Sequence, residues 1–260
     1  MRILVCVKRV PAPGSKINVT ADEQEVDTAH LGFTTSPHEE CALEEAVQIV
    51  EREGGQVVVL TVGPPEAEEQ LRYAASVGGT DFILVPTDGR SLDPQRTAAI
   101  ITEAVQQAEA ADGAFDLILF GNESADSAGY QVGVRVAHAL GRPIVNGIKA
   151  IEVQPESVVA SKGIDGGLEV YELPRPAVLG IYEGINLPRY PTMKGRLASR
   201  KAVVGTVELD AAEGALNKVK LHRPEEKISE TVMLPSEPEA AAAAICDLLE
   251  EFGVLGGDAA

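Results

Sequence analysis

The chain has 260 residues, 45% of them hydrophobic, enough for one large domain with a sizeable core plus appendages. Its 22 Lys and Arg stand against 40 Asp and Glu, and the formal charge of -18 repels nucleic acid and anionic membrane surfaces, so no nucleic-acid partner is expected. Cys6, Cys41 and Cys246 are too few and too far apart for a disulfide framework or a zinc site, and read as buried thiols in a reducing compartment.

Residues 2–7 open the chain as a strand, without the basic, apolar and small-residue succession of a signal peptide. No apolar run reaches the length of a membrane span, so the expected location is cytoplasmic, with no direct membrane insertion. Further β-branched runs at 56–62, 81–86, 116–121 and 177–182 lack polar alternation, as strands covered on both faces do. Helical patterns fall between them at 37–53, 65–77, 93–111 and 128–140. The first is well marked, with Ser36 as cap, Pro37 in the first helical position and Glu39 three residues after the cap. The βαβα order predicts an α/β fold with a doubly wound, mostly parallel, Rossmann-like sheet of the adenine-nucleotide-binding kind. Segments 144–153, 158–162 and 168–173, separated by turn residues, predict an added antiparallel meander. The expected division is an α/β nucleotide-binding domain over 1–207 and a C-terminal arm over 208–260, with a helix at 239–252. The arm has too little apolar surface for a core of its own, so it lies on this body or on a partner, or else is a frayed acidic tail.

In an open parallel sheet ligands settle beyond the carboxyl ends of the strands, where helix N-termini expose unpaired N–H groups. Three such places stand out: Cys6-Val7-Lys8-Arg9-Val10, Thr61-Val62-Gly63-Pro64-Pro65, and the segment from Gly121 through Asn122, Glu123, Ser124, Asp126, Ser127, Ala128, Gly129, Tyr130, Gln131 and Val132 to Gly133. The last is the most suggestive, running from a strand into a helix through small residues. It matches neither the Walker pattern nor the dinucleotide fingerprint, and reads equally as a phosphate cradle or as a packed turn capped by Asp126. The four histidines, His30, His38, His138 and His222, neither cluster nor sit beside a nucleophile, and read as surface or capping residues. Glu39, Glu40, Glu44 and Glu45 follow helical spacing and read as a solvated face and first-turn charge. No catalytic residue and no metal ligand is expected. Between Pro188 and Val203, Arg189, Lys194, Arg196, Arg200 and Lys201 form a basic stretch with Tyr190, Met193 and Leu197 among them. It reads either as a mobile docking loop or as a helix or turn whose cations balance nearby acids.

Taken in order, these segments resemble the β subunit of electron-transfer flavoproteins from the first strand to about Val204. The opening Ile3-Leu4-Val5-Cys6-Val7-Lys8-Arg9-Val10 is similar to the family's first strand. Ser36-Pro37-His38-Glu39 followed by Ala42-Leu43-Glu44-Glu45-Ala46 resembles its Asn-Pro-x-Asp/Glu…Leu-Glu-Glu-Ala helix, and Leu71-Arg72 with Ala74-Ala75-Ser76-Val77-Gly78 resembles its second helix. Asn186-Leu187-Pro188-Arg189-Tyr190-Pro191-Thr192 is close to its Asn-x-Pro-Arg-Tyr signature.

The resemblance implies a heterodimer in which an α subunit holds most of an FAD and this chain closes one side, through the loop near Pro13 and the helix start at His38. It implies AMP in a structural role, lined by Cys6, Ser36, Pro37, His38, Glu39, Val62 and residues 121–132. It also implies that Met193 and its neighbours Arg189, Tyr190, Lys194, Arg196 and Leu197 dock acyl-CoA or other dehydrogenases, with a quinone oxidoreductase as acceptor. The chain departs from the pattern in two places. Tyr130-Gln131-Val132-Gly133 stands where many AMP-binding members have Asn-Gln-Thr-Gly, and Ser36 and His38 replace an asparagine and, in some members, an aromatic. Gln131-Val132-Gly133 has some likeness to a bifurcating group that holds a second FAD in the AMP site. A stand-alone nucleotide-binding sensor is the alternative from another class, and it would need neither the 188–201 loop nor the arm.

Overall fold

The computed structural model describes residues 1–209, 216–224 and 231–255. They fall into two units, Met1–His222 and Arg223–Ala260. Within the first, seven strands form one sheet: β1 (Arg2–Val7), β2 (Gln56–Gly63), β3 (Asp81–Pro86), β4 (Leu117–Gly121), β5 (Ile144–Ile148), β9 (Ala177–Ile181) and β10 (Val204–Thr206). Their order across the sheet is β10-β3-β2-β1-β4-β9-β5, and every neighbouring pair is parallel. The strands are apolar on both faces because both are covered. Ile3, Val5 and Val7 join the core beneath α1 (Pro37–Glu53) and α2 (Glu68–Val77). Leu4 and Cys6 join the one beneath α3 (Pro94–Asp112) and α4 (Val132–Ala139).

The helix starts follow the local sequence. Pro37 stands in the first turn of α1 and Glu39 reaches back to the cap residue Ser36. At α3, Asp93 Oδ1 accepts from the Gln95 and Arg96 N–H groups at 2.9 and 3.2 Å. The helix expected from residue 128 begins four residues later, at Val132. Ala128 and Tyr130 have left-handed φ values of 45° and 54°, which no helix accommodates.

The segment 144–153 is two strands rather than one. Gly147, at φ 78°, inserts a bulge where β5 pairs with β9, and the chain then leaves the main sheet. Beyond it, β6 (Ala150–Val153), β7 (Ser157–Ile164) and β8 (Gly167–Pro174) form the antiparallel meander. Val158, Ala160 and Leu173 tie it to the core under α1.

Residues 193–199, within the basic stretch, form the short helix α5 (Met193–Ser199), capped by Thr192 Oγ1, which accepts from Gly195 N at 3.0 Å. Of the arm, residues 216–222 run beside the turn at 23–25. Leu221 N donates to Glu23 O at 2.7 Å, and Lys218 Nζ lies 2.6 Å from Glu25 Oε1. The second unit contains α6 (Pro238–Glu251), and the arm positions 210–215, 225–230 and 256–260 lie outside the described residues. Among the described residues no helix is long and apolar enough to cross a membrane.

Candidate functional site

The chain order reverses at β1, with β2 on one side of it and β4 on the other, so the carboxyl ends of β1 and β4 flank the place where such sheets leave a crevice. The residues following those two ends meet the first turn of α1. Lys8 N and Ser36 N both donate to Glu39 Oε2, at 3.0 and 3.4 Å, and Ala125 N donates to Ser36 Oγ at 3.0 Å. Lys8 Nζ lies 2.6 Å from Asp126 Oδ2. Gly121 permits this closeness, since a Cβ there would stand 2.8 Å from Glu39 Cγ and 3.1 Å from His38 Cβ.

His38 forms the opposite wall, packed edge-on against Tyr182 with ring centroids 4.9 Å apart. The Glu183 N–H donates to its Nδ1 at 2.8 Å, which assigns the ring proton to Nε2, and Nε2 faces Glu123 Oε1 at 3.4 Å. Glu123 also takes a hydrogen bond from Tyr130, whose phenol is thereby pushed above its ordinary pKa.

The charges here differ from those expected on a solvated face. Glu39, Glu44, Glu45 and His38 are all buried, because residues 121–126 and 183–189 close over the first half of α1. Burial pushes Glu39 up to about 8, against the opposing pull of the Lys8 and Ser36 N–H groups and the Lys8 charge. Burial also works against ionisation of Asp126, but the Lys8 ammonium, with hydrogen bonds from Lys8, Ser124 and Ser127, outweighs it and lowers the pKa. Cys6 and Cys41 are buried and raised by that burial, whereas Cys246 is exposed, contrary to the reading of all three as buried.

Of the residues singled out for nucleotide binding, Ser36, His38, Glu39, Gly121, Glu123, Asp126 and Tyr130 are joined by these contacts. Cys6 lies in β1 with its side chain in the α3/α4 core, Val62 is half-buried in β2, and Pro37 is exposed. Asn122 N donates to Ile181 O at 2.8 Å, and Ser124 and Ser127 share a hydroxyl contact at 2.8 Å. Asp126 caps no helix. Gln131 precedes α4 and sends its amide oxygen to Arg135, so the α4 first turn has no side-chain cap. Lys8 belongs to the strand end expected to face a ligand, whereas Tyr182 and Glu183 do not appear among the expected site residues. They follow β9 directly, and the strand-end rule applied to that strand as well finds them.

The docking set lies elsewhere. Tyr190 is 90% exposed and Met193 76%, and Leu197, Lys194 and Arg196 are exposed on α5. Arg189 is engaged instead, its guanidinium bonded to both Glu44 and Glu51. The α5 helix rests on α2. Arg72 Nη1 donates to Ser199 O at 2.9 Å, and a Cβ on Gly195 would strike the Ser76 carbonyl oxygen.

Comparison with known proteins agrees with this architecture. The family described as "Electron transfer flavoprotein domain" matches residues 25–212. The chain is 32% identical over 251 residues to the electron transfer flavoprotein subunit beta of Syntrophomonas wolfei, covering 96% of each chain. To the subunit of the same name from Bacillus subtilis it is 29% identical over 256 residues, covering 96% of this chain and 97% of that one. To that of Mycobacterium tuberculosis it is 31% identical over 213 residues, covering 80% and 79%. The chain therefore belongs to the electron transfer flavoprotein family, among its beta subunits.

Proposed function

We propose that this chain pairs with an alpha subunit to hold an FAD, which takes electrons from acyl-CoA or other dehydrogenases and passes them to a quinone oxidoreductase, while AMP occupies the pocket of residues 121–132 in a structural role. The observation that carries the reading is the convergence of the β1 end, the β4 loop and the start of α1 on one crevice. The residues there suit a nucleotide. The uncapped first turn of α4 follows a loop with left-handed backbone at Ala128 and Tyr130, an arrangement of N–H groups that favours an anion. The Glu123 carboxylate, held by His38 and Tyr130, is placed to accept from hydroxyl groups of a ribose.

The flavin supplies the redox chemistry when bound, and this chain binds, orients and shields. His38 and Tyr182 offer a packed pair of aromatic rings beside the α1 start, and α5 offers the exposed Met193. Residues 208–260 serve as the arm that meets the alpha subunit, where Phe252, 73% exposed, would be covered.

Expressed with an alpha subunit, the chain should yield a yellow heterodimer, and expressed alone it should be colourless. A stable yellow monomer, or a colourless mixture of the two chains, would remove the proposal in favour of the sensor. Acid extraction followed by chromatography should release FAD and AMP in equal amounts. Two FAD and no AMP would instead select the bifurcating type, to whose loop Gln131-Val132-Gly133 has some likeness.

A further inference from the structure

The 182–192 segment is not a free loop. It leaves β9, crosses α1 and, beyond the Glu183 contact with His38, is tied to that helix by Asn186 and Arg189. Asn186 Nδ2 donates to Cys41 O and Glu45 Oε2, both at 3.0 Å. The Arg189 N–H donates to Glu44 Oε2 at 3.2 Å. The Arg189 guanidinium then makes two forks, Nε and Nη2 to the Glu44 oxygens at 2.8 and 3.1 Å, and Nη1 and Nη2 to the Glu51 oxygens at 2.7 and 2.9 Å. Glu44 and Glu51 are seven residues apart, two turns, and so present one face. Glu44 is buried, so its charge depends on this partner. Next in the chain come Tyr190, 90% exposed, and then α5, which opens on the exposed Met193 and which Gly195 seats against Ser76.

We infer that Arg189 is a positioning residue: its double fork on Glu44 and Glu51 fixes the backbone from which Tyr190 and Met193 project, so that this apolar surface is ordered before a partner arrives. The inference rests on the docking role proposed above for that surface. A surface already ordered spares a redox partner the entropy of ordering it on each encounter. Lysine keeps a positive charge for Glu44 but cannot form two planar forks, so Arg189→Lys separates geometry from charge.

The test uses the heterodimer carrying Arg189→Lys, beside Met193→Ala. Hydrogen exchange of the Arg189 amide, which donates to Glu44, should speed up at least about tenfold in Arg189→Lys, and exchange within α1 should be unchanged. With a reduced acyl-CoA dehydrogenase as donor, the KM for the heterodimer should rise about tenfold with kcat and flavin content kept, the size expected when a few side chains must be ordered on binding. Unchanged exchange overturns the inference whatever the kinetics. Faster exchange with unchanged KM overturns it too, and Met193→Ala then says which idea failed. If Met193→Ala raises KM, docking stands and the clamp is irrelevant to it. If Met193→Ala leaves KM unchanged, the docking reading itself has failed.

Discussion

Replacing Glu39 by glutamine is expected to flatten the pH dependence of stability of the heterodimer and to stabilise it at alkaline pH. The Glu39 carboxyl is raised from 4.5 to about 8 because it is buried between the end of β1 and the first turn of α1. Between these two pH values the folded chain keeps a proton that the unfolded chain has lost. The contribution of this group is therefore full below pH 4.5, declines as pH rises and levels off above 8, a fall of roughly 5 kcal/mol. Glutamine stays neutral, and its amide oxygen can still accept from the Lys8 and Ser36 N–H groups. Thermal midpoints of parent and E39Q heterodimers should be close near pH 5 and diverge towards pH 9, with E39Q the more stable. Parallel profiles would show that the carboxyl is ionised throughout.

The second large effect is expected from Gly121→Ala. The added methyl would meet Glu39 Cγ at 2.8 Å and Glu39 N and His38 Cβ at 3.1 Å, and the nearest of these belong to a buried helix start. The α1 turn must recede from the end of β4, at a cost of about 1–3 kcal/mol, or several degrees in Tm for a domain of this size. The same shift loosens the contacts of Ser36 with Ala125 and of Lys8 with Glu39. G121A heterodimer should therefore lose nucleotide during gel filtration more readily than the parent. Retention of nucleotide together with a parental Tm would mean that the strand end has slack the geometry does not suggest.

What could be read along the chain was whatever local chemistry specifies. Pro37 after Ser36 marks the start of α1, and the unbroken apolar runs of β1 and β2 imply a sheet covered on both sides. What could not be read depends on distant partners. Glu44 and Glu45 have the spacing of an exposed stripe, and nothing near them indicates that Asn186 and Arg189, more than 140 positions later, bury and pair them. The late start of α4 was hidden because Ala128 and Gln131 are ordinary helix residues, and nothing in their local sequence marks the left-handed backbone at Ala128 and Tyr130. His38 looked incidental because its partners, Tyr182 and Glu183, arrive with β9.

The strands on either side of α5 lie far apart in the sheet. β9 is sixth in the order and β10 first, so residues 182–203 must traverse five strand spacings, about 24 Å. The exposed patch is thus slung between two fixed moorings of a single sheet, on a segment whose extended reach of about 70 Å is some three times that distance. The surplus is taken up on the path over α1 and α2, where Asn186, Arg189 and Gly195 seat it, so shortening the segment would unseat these contacts before it strained either strand.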